Sequence, residues 1–209
     1  MKTLIVTPTY NERKNIRELV STLFELNPDF HILVVDDSSQ DGTAEIVEEL
    51  QADCTNLHLL SRNEKGGLGS AYIAGFNFAL ERDYEVIVQM DADMSHSPSY
   101  LPRMIDLLAS NDVVVGSRYC QGGGSDENWS LYRKGLSAGG NWAIQFISGL
   151  KVNDCTSGFK VFKSQVLKDI CWDEIHCSGF GFQIEIAMQC ESLGFTTVSY
   201  THLTLPTKA

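Results

Sequence analysis

From residue 3 to residue 116, short apolar runs alternate with segments of helical periodicity, and that alternation most restricts what the chain can fold into. The apolar runs cover residues 3–7, 31–35, 57–60, 86–90 and 112–116. Ile16, Leu19, Val20, Leu23 and Phe24 recur at the spacing of one helix face, and residues 44–50, 70–80 and 98–109 also read as helices. Strands and helices alternating at this interval predict an α/β fold, a Rossmann-like, mostly parallel sheet with helices on both faces. Ligands of such sheets sit beyond the carboxyl ends of the strands.

The chemically loaded residues fall at those ends. Tyr10 and Glu12 follow the first strand, Asp36 and Asp37 the second, Asp91 and Asp93 the fourth, and Arg118 the fifth. Side chains alternate along an extended chain, so Asp91 and Asp93 leave the strand on the same side. Two anions that close repel unless a cation or proton sits between them. A hard divalent ion, Mg²⁺ or Mn²⁺, answers that need, binding one or two carboxylates and completing its shell with water and phosphate oxygens.

Each motif also has a plainer reading. Asp91 and Asp93 can cap the helix that starts near Pro98, and Asn11 can cap the helix after residue 12. Asp36-Asp37 can form an Asx-type turn instead of bonding a base or ribose. Gly66-Gly67-Leu68-Gly69 reads as a tight helix entry, because it lacks both the G-x-G-x-x-G spacing and the Lys-Ser/Thr of a P-loop. Arg118 is either a surface cation or a phosphate ligand. His96, near the carboxylates, is either a metal ligand or a solvated loop residue.

The second half changes character. The glycine run of 121–126 predicts a mobile loop, and residues 129–150 a helix with Trp142, Ile144, Phe146 and Ile147 on an apolar surface. Residues 154–160 form a polar turn into a strand at 159–162, followed by helices at 164–170 and 182–193. The stretch 135–150 serves core packing or also forms an interfacial surface.

At 209 residues the chain suits a single domain. Its formal net charge of -11 argues against a nucleic-acid partner, which would need a basic footprint. The same charge means an anionic substrate needs local help from a cation or from backbone N–H groups. The six cysteines form no C-x-x-C pair, so reduced thiols in a cytosolic protein are expected. No leader and no apolar stretch of about 18 residues is read.

Taken together, the strings P-T-Y-N-E (8–12), V-V-D-D-S-S-Q-D-G-T (34–43), G-L-G-S-A-Y (67–72) and M-D-A-D-M-S-H-S-P (90–98) carry a resemblance. G-S-R-Y (116–119), the glycine run, Trp129, Arg133 and T-S-G-F-K (156–160) extend it. This ordered set resembles glycosyltransferase family 2, in its branch of dolichyl- or polyprenyl-phosphate mannosyltransferases, over residues 1–194. The resemblance implies an A-type glycosyltransferase fold and an inverting transfer of a hexose from a nucleotide-sugar donor, GDP-mannose foremost, to a polyprenyl phosphate. UDP-glucose or UDP-GlcNAc as donor, or a glycan as acceptor, remain open. By position, Pro8, Tyr10, Glu12, Val35 and Asp37 hold the nucleoside, and Ala92 touches the nucleotide through its backbone. Asp91 and Asp93, with Ser95 where the family often has Gln, hold Mg²⁺ or Mn²⁺. Arg118 reaches the phosphates or the acceptor. Peripheral attachment to the cytoplasmic face of a membrane, directly or through a partner subunit, is also implied.

One stretch departs from the resemblance. Where the family continues with a basic, glycine-containing loop, residues 199–209 contain no Arg and a single Lys. The expectation is a catalytic domain over 1–198 and an atypical tail, truncated or foreign, over 199–209. Two rivals follow. A receiver domain shares the L-V-V-D-D-S string, but it would place that strand first and be much shorter. A nucleotide-sugar-binding module without activity is the other.

Overall fold

The computed structural model describes residues 1–120 and 130–201. The glycine run of 121–126, Trp129, the side chain of Arg133 and residues 202–209 of the expected tail lie outside the described residues. Seven strands make one sheet: β1 (Thr3–Thr9), β2 (His31–Asp36), β3 (Leu57–Ser61), β4 (Val86–Gln89), β5 (Val113–Ser117), β6 (Lys160–Lys163) and β7 (Thr197–Thr201). Their order is β3-β2-β1-β4-β6-β5-β7. Every pairing is parallel except those of β6, which runs antiparallel to β4 and β5.

The helices are α1 (Ile16–Leu26), α2 (Thr43–Gln51), α3 (Leu68–Glu81), α4 (Leu101–Leu107), α5 (Leu131–Ser148), α6 (Ser164–Asp169) and α7 (Phe180–Ser192). Alternation along the strands sends successive residues to opposite faces, giving two cores. Leu4, Val6, Leu33, Val35, Ile87 and Phe162 pack with Tyr72 and Phe76 of α3 and Phe182 and Ile186 of α7. Ile5, Ile32, Val34, Val88 and Val161 pack with Ile16, Leu19 and Leu23 of α1 and Met104 of α4. With both faces covered, the strands can be apolar throughout, as parallel sheets require.

Several boundaries differ from expectation. The first strand, expected over residues 3–7, runs on to Thr9 and keeps Pro8 in register with Val35. Proline is tolerated there for a local reason. The β1–β4 pairing ends at Val6 and Gln89, so the N–H that Pro8 lacks would face no strand on that side. The helix expected from residue 98 opens as a 3₁₀ turn over Pro98–Tyr100 before α4. β7 runs to Thr201, with Ser199, Tyr200 and Thr201 in register with Val115, Gly116 and Ser117. The boundary expected at 198/199 therefore falls inside a strand.

α5 lies at the margin of the core that holds α3 and α7, and Ile144, expected on its apolar surface, packs against that core. Asn141 ties the helix to the chain before β6, donating to the Asn153 carbonyl and accepting from the Cys155 N–H. Its large side chains Tyr132, Leu136, Trp142, Phe146 and Ile147 are exposed, and the Trp142 and Phe146 rings stack at 5.6 Å. Among the described residues, no helix is long and apolar enough to cross a membrane.

Candidate active site

A cavity of about 290 Å³ opens at the carboxyl ends of β1, β2 and β4. The chain turns sharply there: Asn11, Ser38 and Met94, each just past one of those strands, adopt φ of 61–62°. Left-handed backbone costs a non-glycine residue on the order of 1 kcal/mol or more, and surrounding contacts hold it in place. At the first turn, Asn11 donates its N–H to Ser39 Oγ and accepts from the Gln40 N–H.

Seven of the residues expected at the site line this cavity: Pro8, Tyr10, Glu12, Asp37, Asp91, Ala92 and Asp93. The structure thus gathers acidic residues from three separate strand ends around one space. Among the described residues that line it, Lys65 is the only cation, and its Nζ lies 3.5 Å above the Tyr10 ring. Burial pushes the Glu12 carboxyl above its usual range, its bond from Asn15 pulls it down, and the charges of Asp93, Asp41 and Asp91 raise it further.

The two acidic pairs are held differently. Asp36 Oδ1 accepts from Thr9 Oγ1 at 2.8 Å and Ser39 Oγ at 2.6 Å, and its Oδ2 accepts from the Ser39 N–H. Asp37 Oδ1 accepts from Arg62 at 2.6 Å, and its Oδ2 from the N–H groups of Gly66 and Gly67. Those amides point at a protein carboxylate, which agrees with reading the glycine stretch as a helix entry. Gly67 needs to be glycine, since it starts α3 at φ +87°.

Asp91 and Asp93 keep open lone pairs. Asp93 Oδ1 accepts from the Ser95 N–H at 3.0 Å. Asp91 Oδ1 accepts from the Tyr72 hydroxyl at 2.7 Å. Behind Asp91 lies His96, buried and stacked on Phe159 at 5.1 Å, so the solvated-loop reading of this histidine is corrected. Its Nδ1 accepts the Asp91 N–H at 3.2 Å, and burial lowers its pKa. Gly158 completes the wall: a Cβ there would sit 3.0 Å from Asp91 Oδ2.

Val35, Ser95 and Arg118 are placed elsewhere. Val35 is fully buried in the core against α3. Ser95 meets Asp93 through its backbone N–H. Arg118 forms a two-point ion pair with the fully buried Asp154, both contacts at 2.7 Å, and adds a bond to Thr156. Burial opposes the charge of Arg118, but Asp154 outweighs it and raises the pKa.

Sequence reasoning missed Tyr72, Lys65, Asp154 and the burial of Lys160. Lys160 is fully enclosed, bonding the Ser157 carbonyl and Gln183 Oε1, and burial lowers its pKa to about 8. Tyr72 carried a faint signal, an aromatic one turn into the helix that the glycine stretch opens. The others carried none, because their partners lie far away in sequence.

The donor set can be tested against a metal. Asp91 and Asp93 offer hard carboxylate oxygens on one cavity wall, and among the described residues no group of three His, Cys, Asp or Glu encloses a point. Two carboxylates with the remaining positions left to water and substrate phosphates fit Mg²⁺ or Mn²⁺ and not an all-protein cage.

Comparison with known proteins bears on the family and the fold. The glycosyl transferase family 2 profile matches residues 4–171. The chain is 41% identical over 199 residues to polyprenol monophosphomannose synthase of Mycolicibacterium smegmatis, covering 94% of this chain and 75% of that protein. It is 39% identical over 194 residues to undecaprenyl-phosphate mannosyltransferase of Micrococcus luteus, covering 93% and 79%. Among solved structures, a mannosyltransferase of Pyrobaculum calidifontis in complex with GDP-Man and Mn²⁺ superimposes with a TM-score of 0.65. That likeness, at 20% identity over 99% of this chain and 56% of the other, concerns the fold.

Proposed function

The chain belongs to glycosyl transferase family 2, with an A-type glycosyltransferase fold, and from that premise we propose that it transfers mannose from GDP-mannose to a polyprenyl phosphate with inversion. The observation that carries the reading is the meeting of Glu12, Asp37, Asp91 and Asp93 in one cavity, on a chain about 40% identical to two polyprenyl-phosphate mannosyltransferases.

Each wall has a task in this reading. Pro8, Tyr10 and Ala92 bound the nucleoside, and Glu12 accepts from its donors. Asp37 has three donors on its carboxylate, so about one lone pair remains for the base or ribose, and its larger role is to hold the Gly66–Gly67 wall. Asp91 and Asp93 hold Mg²⁺ or Mn²⁺. Held there, such a cation would supply positive charge to the leaving nucleoside diphosphate.

The acceptor phosphate is already an anion at neutral pH. One of its oxygens attacks the anomeric carbon, the bond from that carbon to the diphosphate oxygen breaks, and the electron pair leaves with GDP. No strong general base is needed, and positioning supplies most of the acceleration. Arg118 takes the acceptor phosphate only if its hold on Asp154 yields.

We also assign the exposed apolar side chains of α5 to a peripheral contact with the membrane that carries the acceptor, on its cytoplasmic face. Trp142 and Phe146 supply the amphipathic aromatic surface suited to a headgroup boundary.

A donor panel tests the proposal. The protein, Mn²⁺ and vesicles carrying a short polyprenyl phosphate are incubated with GDP-mannose, UDP-glucose or UDP-GlcNAc. Products are weighed by mass spectrometry, and the pelleted protein is measured in the same tubes. Mannosyl-phosphoryl lipid from GDP-mannose alone is expected, with protein in the pellet. Transfer from a UDP-sugar overturns the donor, no transfer supports a binding module, and protein confined to the supernatant overturns the membrane contact.

A further inference from the structure

We infer that Tyr72 is a positioning residue that makes Asp91 a one-oxygen metal ligand and so biases the site toward Mg²⁺ and Mn²⁺ over Ca²⁺. This rests on the reading of Asp91 and Asp93 as the metal-holding pair.

The hydroxyl of Tyr72 donates to Asp91 Oδ1 at 2.7 Å. The main chain beneath that bond is held in place. The Asp91 N–H is held by His96 Nδ1, His96 Nε2 stands 3.9 Å from Oδ2, and the lack of a side chain at Gly158 keeps Oδ2 uncrowded, since a Cβ there would sit 3.0 Å away. Tyr72 is equally fixed. It is fully buried, lies parallel to Phe182 with ring centres 6.2 Å apart, and stacks on Phe76 at 5.8 Å.

Packing alone does not explain the hydroxyl. Between two phenylalanines a third would fill the same space, and a buried hydroxyl costs free energy unless it finds a partner. The partner found is the carboxylate that faces the cavity. Donation to Oδ1 draws charge from that oxygen and occupies one of its lone pairs, which leaves Oδ2 the stronger donor. Small octahedral ions accept single oxygens at short distance, whereas Ca²⁺ takes a larger shell and readily accepts both oxygens of one carboxylate. Groups that orient a metal ligand from behind typically change metal affinity about 10- to 100-fold when removed.

The test is Tyr72→Phe, which deletes one oxygen and keeps the ring. Mn²⁺ binding is titrated by electron paramagnetic resonance at fixed GDP, with Ca²⁺ as competitor, and thermal melts are run alongside. The expected result is about a 10-fold weaker hold on Mn²⁺ with little change for Ca²⁺, so that the preference between them narrows by the same factor. Unchanged Mn²⁺ affinity overturns the inference. So does an equal loss for both ions, the signature of a loosened fold. Asp91→Ala separates this from the underlying reading: if it binds Mn²⁺ as the wild type does, or if the wild type binds none, the metal assignment itself falls.

Discussion

Two acidic pairs end two strands of the same sheet, and the molecule uses them in opposite ways. At the end of β2, Asp36 and Asp37 are buried and carry six hydrogen bonds from the protein's own donors. At the end of β4, Asp91 and Asp93 accept one each, from Tyr72 and from the Ser95 N–H. Residue type, strand position and edge are alike, so the difference lies in saturation. A carboxylate surrounded by donors is a structural post, and one with idle lone pairs beside a cavity is a site. Asp37 stands between these, since it also lines the cavity.

The comparison breaks first at the open pair. Asp91→Ala and Asp93→Ala are each expected to cut transfer at least about 1,000-fold, because in the proposed function both remove a hard oxygen from the metal-holding pair. Asp93→Ala should melt within a few degrees of wild type, since it deletes one hydrogen bond at a partly exposed position. Asp91→Ala also strands the buried Tyr72 hydroxyl and should melt several degrees lower, with its rates read below that transition. Initial rates of lipid product paired with thermal melts check this. Near-normal rates in either variant would make the two pairs equivalent.

The saturated pair should fail in the other direction. Asp36→Ala removes three acceptor contacts and strands the hydroxyl of Thr9, which is buried. A loss of about 3 kcal/mol is expected, on the order of 6–12 °C in melting temperature for a chain of this size. Folded protein below the transition should retain transfer within about tenfold. An Asp36→Ala protein that melts like wild type yet transfers nothing would place Asp36 in the site.

How much of this was legible in the sequence follows from what each feature depends on. The strand–helix alternation depends on local periodicity, so the two-faced sheet and the acidic rim could be read directly. The antiparallel entry of β6 could not, because it depends on the chain between α5 and β6 returning between β4 and β5. Saturation was equally hidden. Asp36-Asp37 and Asp91-Ala92-Asp93 look alike as strings, and only folding brings Arg62, Gly66 and Thr9 to one pair and leaves the other facing space. Val35 shows the limit of carrying a role over by position. Its side chain turns into the α3 core, which leaves only backbone for a nucleoside.

The smallest effect concerns the charge behind the open pair. Lys160 bonds the Ser157 carbonyl, one residue from the Gly158 that walls Asp91, and burial lowers its pKa from 10.5 to about 8. Between those values the unfolded chain binds more protons at this position than the folded one, so stability rises with pH across that window. Burying the charged ammonium is thus a cost that is full below pH 8 and relieved as the pH climbs toward 10.5. The melting temperature of wild type relative to Lys160→Met should therefore rise by a few degrees between pH 7 and pH 10, at roughly 2–4 °C per kcal/mol. Differential scanning at five pH values reads the trend. A gap that stays flat would mean Lys160 keeps its proton throughout, held by Ser157, Gln183 and the nearby carboxylates more firmly than burial opposes it. The open pair would then rest on a permanent cation, and its contrast with Asp36 and Asp37 would be one of geometry alone.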